Sequence, residues 1–200
     1  MRKNIALATG LLAVALFAAP RAKADGIFTG TLSGTGEVPP TVSTATGFIT
    51  VTVAGSLLNV TESFTGLVGG PAEAAHIHCC APAGVNAPVA VPFPGFPAAT
   101  SGTYSNTFDL TLNSTYTSTF LTASGGTAAD AQSVLLTALF AGDAYVNIHD
   151  AVYPGGEIRG QLMQRTPEPG TISLLLSGLF ALVLLAGRIG LRREHLANEA

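Results

Sequence analysis

Gly47-Phe48-Ile49-Thr50-Val51-Thr52-Val53-Ala54-Gly55-Ser56-Leu57-Leu58-Asn59-Val60-Thr61-Glu62-Ser63-Phe64 is the stretch on which the reading of this chain turns. On an extended backbone Ile49, Val51 and Val53 fall on one side, while Thr50 and Thr52 fall on the other. Beyond Ala54-Gly55-Ser56, Leu58, Val60, Glu62 and Phe64 alternate in the same way with Asn59, Thr61 and Ser63. Two period-two segments around a glycine turn predict a β-hairpin with one buried face. Weaker versions of the pattern predict strands over residues 27–35, 74–79, 104–112, 144–149 and 157–163.

Between these strands the chain changes character. Residues 80–102 carry prolines at 82, 88, 92, 94 and 97, each lacking a backbone donor, so the segment predicts a loop rather than a central strand. One helix interrupts the β pattern. Thr127 and Asp130 form a capping pair, Ala131, Val134, Leu135, Ala138 and Leu139 make an apolar stripe at helical spacing, and Gly142 ends it. The expected fold is mainly β, an antiparallel β-sandwich or flattened Greek-key barrel with one inserted helix.

Both ends of the 200-residue chain are of a different kind. Arg2 and Lys3 open a basic start, residues 5–19 are an apolar run, and Ala22-Lys23-Ala24 supplies small residues at the −3 and −1 positions of a cleavage site. Residues 1–24 therefore predict a signal peptide removed by signal peptidase after Ala24. At the other end residues 171–187 are apolar and uncharged, with Arg188, Arg192 and Arg193 behind them. As a helix that run would rise about 25 Å, enough for a short transmembrane helix with a cytoplasmic C-terminus. Pro167-Glu168-Pro169, the apolar run and the arginine cluster together resemble the PEP-CTERM sorting signal over residues 167–200. That resemblance implies an exosortase as processing partner. It also implies either a membrane-anchored periplasmic domain or delivery to the cell surface or an extracellular matrix.

What remains is one domain over residues 25–166. It carries nine acidic residues (Asp25, Glu37, Glu62, Glu73, Asp109, Asp130, Asp143, Asp150, Glu157) against two basic ones (Arg159, Arg165), nine minus two giving −7. Such a surface repels phosphate backbones and argues against a nucleic-acid partner. No Gly-x-Ser-x-Gly elbow and no phosphate-cradling glycine loop occurs, so neither a hydrolase triad nor nucleotide chemistry has support. Cys79 and Cys80 are adjacent; a vicinal disulfide, free thiols and metal-bound thiols all stay open.

Three histidines concentrate the chemistry. His76 and His78 flank Ile77 on a predicted strand and so share one face. His149 ends Tyr145-Val146-Asn147-Ile148-His149, where Tyr145, Asn147 and His149 share a face opposite Val146 and Ile148. Three neutral imidazoles suit copper or zinc and leave a coordination position open. Hydrogen bonding within the sheet, with no ion, is the alternative for the same residues. Glu157 and Arg159 share a strand face and read as a structural pair, with Glu37 as a turn residue, a partner for Arg159 or a support for the histidines.

Glu37-Val38-Pro39-Pro40, Ala75-His76-Ile77-His78, Tyr145-Val146-Asn147-Ile148-His149 and Gly155-Gly156-Glu157-Ile158-Arg159-Gly160-Gln161-Leu162 occur in the order seen in CHRD domains. The chain resembles that chordin-type family over about residues 28–163, departing at Cys79, where the family usually carries glycine. The resemblance implies an extracellular β-sandwich module that binds other molecules or serves as structure, with extracellular polymer or protein as partner and no enzymatic role. A weaker likeness to copper–zinc superoxide dismutase implies His76, His78 and His149 as copper ligands. The bridging histidine of that family has no counterpart between His78 and His149. Two functions follow: an exported binding or structural module held by its tail, or an extracytoplasmic copper or zinc protein.

Overall fold

The computed structural model describes residues 25–165 and 177–180. In chain order the elements are β1 (Gly26–Ser33), β2 (Thr46–Ala54), β3 (Leu57–Thr65), β4 (Ala74–Cys79), β5 (Val89–Pro92), β6 (Gly102–Asp109), α1 (Ser118–Ser124), α2 (Ala128–Ala141), β7 (Ala144–His149), β8 (Ile158–Gln161) and β9 (Met163–Gln164). The hairpin is where the alternation puts it. β2 and β3 pair from Thr46↔Thr65 to Ala54↔Leu57, which leaves Gly55 and Ser56 as a two-residue turn. Gly55 adopts a φ of 61°, a conformation that costs glycine nothing. Ile49, Val51, Val53, Leu58, Val60 and Phe64 all point inward and are buried.

Among the described residues one sheet contains every strand, in the order β5-β4-β7-β8-β1-β2-β3-β6, with β9 pairing β1 next to β8. All pairings are antiparallel. The sheet curls into a half-barrel, and the two expected alternatives, sandwich and flattened barrel, give way to this single curved layer. The physical reason lies at its ends. Pro92 closes β5 and Pro94 and Pro97 follow, so the donors that would zip β5 onto β6 are missing. Aromatic packing brings the ends together instead: Phe93 stacks on Tyr104 and Phe108 of β6 at centroid distances of 5.2 and 5.9 Å.

Three details depart from the sequence reading. The proline-rich stretch contains β5, which is short and sits at the sheet edge, where a proline is tolerated. Two α-helices lie within residues 25–165, not one. α1 has seven residues and buries only Phe120, so it shows no stripe; its signals were the Thr117 cap, which accepts from Phe120 N at 3.2 Å, and Gly125 behind it. Val134 lies outside the buried stripe of α2, which runs through Ala131, Leu135, Ala138 and Leu139. The α2 caps are as expected: Thr127 Oγ1 accepts from Asp130 N at 3.2 Å, and Gly142 is left-handed.

The apolar core fills the inside of the curl, with Phe28, Leu32, Ile77, Val146, Ile148 and Ile158 fully buried. A single acid intrudes on it. Glu62 on β3 is 1 % exposed, and neither carboxyl oxygen has a hydrogen-bond partner among the described residues. The leader over residues 1–24 with its cleavage point at Ala24, and Pro167-Glu168-Pro169, lie outside the described residues. So does the expected membrane helix over 171–187, except for residues 177–180, which are helical. Among the described residues no helix is long and apolar enough to cross a membrane.

Candidate metal centre

β4 and β7 are neighbours, and their register decides what meets what. Ala74 lies opposite His149, His76 opposite Asn147 and His78 opposite Tyr145. Paired residues in a sheet project to the same side. Because Ile77, Val146 and Ile148 take the core side, His76, His78, Tyr145, Asn147 and His149 together occupy the other. β8 extends this polar face, with Asn147↔Arg159 and Tyr145↔Gln161.

A face turned away from the core would ordinarily be wet. Here it is covered: His78, Tyr145, Asn147, Arg159 and Glu37 are all buried. The cover consists of the segment after β1, the β4–β5 loop and the turn after β7, each tied down by polar contacts. Arg159 donates to Val85 O at 2.9 Å and to Asn86 Oδ1 at 3.1 Å, and its guanidinium carbon lies 3.3 Å from the Tyr145 ring centroid. Tyr145 in turn stacks on His78, with centroids 4.6 Å apart and planes within 4°. Asp150, fully buried, accepts from Val152 N and Tyr153 N at 2.8 Å and so shapes the turn that carries Pro154.

The three histidines converge. Ring centroids are 5.0 Å apart for His76–His149, 5.7 Å for His76–His78 and 6.1 Å for His78–His149. One nitrogen from each ring lies within 4.8 Å of the others. Ligands around a tetrahedral zinc at about 2.0–2.1 Å stand about 3.4 Å apart, so small side-chain rotations bring the set to bonding distance. His78 Nδ1 lies 2.8 Å from Ala87 O and His149 Nδ1 2.9 Å from Pro154 O. A carbonyl only accepts, so His78 carries its hydrogen on Nδ1 and Nε2 holds the lone pair. His78 Nε2 and His76 Nδ1 are buried without hydrogen-bond partners among the described residues.

Electrostatics keep the cluster neutral. Burial, then the neighbouring His149 and His78, lower the His76 pKa to about 4. Burial also lowers His78, against opposing pulls from the Ala87 carbonyl and the Asn147 side chain. Burial lowers His149 against the Pro154 carbonyl. Neutral imidazole is the ligating form.

The acidic and basic residues singled out with the histidines divide. Glu37 does reach this region: burial raises its carboxyl to about 7, while Arg159 and the nearby Asn147 amide pull it down, and its buried Oε1 has no hydrogen-bond partner among the described residues. Gly156 sits against that contact, since a Cβ there would overlap Glu37 Oε1 and Asn147 Nδ2. Glu157 does not pair with Arg159. Its carboxylate accepts from Ser43 Oγ, from Val68 N at 2.8 Å and from Gly69 N at 3.1 Å, fastening two loops beside the sheet. These donors come from loops with no strand pattern, so nothing in the alternation of β8 announced them.

Cys79 and Cys80 form a vicinal disulfide with Cα atoms 3.0 Å apart, directly behind His78. Cys79 is buried on the core side, away from the histidine face. Residues whose roles were not legible are Tyr145, Asn147, Asn86 and Asp150. The alternation in residues 145–149 placed the first two on the histidine face, but gave no sign that loops would bury it.

The family model of the CHRD domain matches residues 28–162, more than half of the chain. The chain therefore belongs to the CHRD domain family. No curated protein and no solved structure matches it.

Proposed function

We propose that this CHRD-domain chain is an exported extracellular module, serving binding or structure, whose His76, His78 and His149 hold one copper or zinc ion. The observation that carries the metal assignment is the convergence of three neutral imidazoles, one nitrogen of each within 4.8 Å of the others, on a buried polar face. Membership of a family of extracellular modules supports the location. Leaving three desolvated rings facing one another costs stability: an unpaired buried polar atom costs about 1–3 kcal/mol, and two of the ring nitrogens are in that state. An ion converts that cost into bonds. Entry has a route, because His76 also lines a cleft of about 520 Å³ between the chain beyond β5 and β6.

Titration of the full chain with copper(II) and with zinc(II), followed by calorimetry, tests the reading. One ion per chain is expected, with a melting temperature that rises with metal and falls back in chelator. At free metal about 100 times the dissociation constant the gain is about 2.7 kcal/mol. His78→Ala should abolish binding; wild-type chain that takes up neither metal would end the metal assignment.

In the same reading the leader is cut after Ala24 by signal peptidase, and the tail bearing Pro167, Glu168 and Pro169 is the substrate of an exosortase. Until that processing the apolar run over 171–187 holds the domain on the outer side of the inner membrane. The acidic balance of the domain favours polymer or protein partners over nucleic acid. Removing residues 167–200 should release the domain in soluble form. Continued retention in the membrane fraction would refute the anchoring role.

A further inference from the structure

Asn147 occupies the middle of the polar face, opposite His76 on one side and Arg159 on the other. It is 1 % exposed, so both ends of its amide must find protein partners. The NH2 end only donates and the carbonyl end only accepts. Toward the β7–β8 turn stand Gly155 O, 3.3 Å from Nδ2, and the Glu37 carboxyl, whose buried Oε1 has no hydrogen-bond partner among the described residues and lies beside Nδ2 over Gly156. The NH2 must therefore face that way, which turns Oδ1 toward the histidines, 2.8 Å from His149 Nε2.

That contact does not balance by itself. A neutral His149 has one N–H, yet both of its ring nitrogens face oxygens: Pro154 O from Nδ1 and Asn147 Oδ1 from Nε2. Whichever tautomer forms, one nitrogen lone pair is set against an oxygen lone pair. Turning the Asn147 amide over would give His149 a donor but press the carbonyl onto Gly155 O, which only accepts. A cation between the two lone pairs removes the conflict, with Nδ1–H kept on Pro154 O as imidazole ligands commonly keep it on a backbone carbonyl. Two ligands about 2.1 Å from one ion stand about 3 Å apart at a right angle, close to the separation seen.

We propose that Asn147 Oδ1 is the fourth ligand of the histidine site, and that Glu37 is a positioning residue that keeps the amide turned inward. The inference rests on the metal assignment above and deepens it. Three nitrogens and an amide oxygen close the coordination sphere, and a closed site is a structural one. An amide oxygen is also a donor that copper accepts as a weak axial ligand. The ion would act as a clamp. Ala87, Pro154 and Glu37 each lie against a different ligand, so one ion ties the β4–β5 loop, the turn after β7 and the segment after β1 to the sheet. This separates the protein from a dismutase-like centre, which needs an open position for its substrate.

Cobalt(II) bound to the full chain is the probe, because its visible bands report coordination number. Wild type should show the intense bands of a four-coordinate ion, unchanged by added azide. Asn147→Leu should bind roughly 10–100-fold more weakly and shift its bands on adding azide. Asn147→Asp keeps the shape and supplies an anionic oxygen, so it should bind more tightly and stay closed to azide; it also serves if the leucine variant fails to fold. Glu37→Leu should weaken binding roughly 10–100-fold, and Glu37→Gln, whose amide oxygen can accept from Asn147, should restore it. An azide-responsive wild type, or affinity unmoved in Asn147→Leu and Asn147→Asp, would overturn the assignment of the fourth ligand while leaving the three-histidine site standing. A wild-type chain that binds no cobalt, copper or zinc would remove both.

Discussion

His76-Ile77-His78 puts two different kinds of interior on the two sides of one strand. Ile77 enters a predominantly hydrocarbon core, where no partner has to be chosen. The histidines enter a second interior built of ring nitrogens, an amide, a guanidinium and backbone carbonyls, roofed by loops. Burial in the first stabilises in proportion to the area hidden from water. Burial in the second stabilises only where each donor meets an acceptor, and the histidine cluster is where that matching is left incomplete. The core holds the sheet together, whereas the polar interior orders the loops and keeps back an unsatisfied set of lone pairs for a ligand.

The largest effect should come from the core. Ile77→Ala removes a fully buried side chain and should cost about 2–5 kcal/mol in chemical denaturation, with the metal stoichiometry of the folded fraction intact. Loss of metal with little loss of stability would mean that the two interiors are not separable. Next comes the one polar group on the wrong side. Burial raises the Glu62 carboxyl from 4.5 to about 8. Between those values the unfolded chain has released the proton and the folded chain still holds it. The protonated acid therefore favours folding fully below 4.5, and that contribution is lost as pH rises toward 8, at about 1.4 kcal/mol per pH unit. Glu62→Gln cannot titrate, so the variant should gain on wild type steadily from pH 5 to pH 8 in denaturant midpoints. Parallel pH profiles would show that Glu62 has partners in solution.

How much of this was readable follows the same division. The core face was legible because alternation is local: Ile49 to Phe64 spell out their own hairpin, and His76-Ile77-His78 announces which ring points where. The curl of the sheet was not, since it depends on β5 and β6 failing to zip, a consequence of prolines acting across the molecule. α1 escaped because seven residues with one buried side chain carry no period. In the polar interior the three histidines could be named from spacing and family likeness. Their supports could not: Ala87 and Pro154 act through backbone carbonyls, which no side-chain pattern reports, and Glu157 serves loops some 90 and 115 residues away in the chain.

Arg159 tests whether the roof belongs to the polar interior. Lysine keeps the charge but cannot reach Val85 O and Asn86 Oδ1 as a planar fork while lying flat on Tyr145. Arg159→Lys should cost about 1–2 kcal/mol. It should also speed amide hydrogen exchange in residues 81–88 more than in β4 or β7. Uniform acceleration across the sheet would make Arg159 a core residue in all but chemistry.

The smallest effect is expected at His76, one position from the largest. In metal-free protein this ring makes no hydrogen bond among the described residues, and its Nδ1 is buried without a partner. His76→Ala therefore gives up some packing against His78 and His149 but also removes an unsatisfied polar atom, two terms of opposite sign and similar size. The metal-free variant should lie within about 1 kcal/mol of wild type, well below the cost of emptying a core position. With metal present the gap should open by the whole binding contribution, because only wild type can hold the ion. A loss in chelator as large as that of Ile77→Ala would show that the histidine face supports the fold by itself, and that the second interior is simply more core.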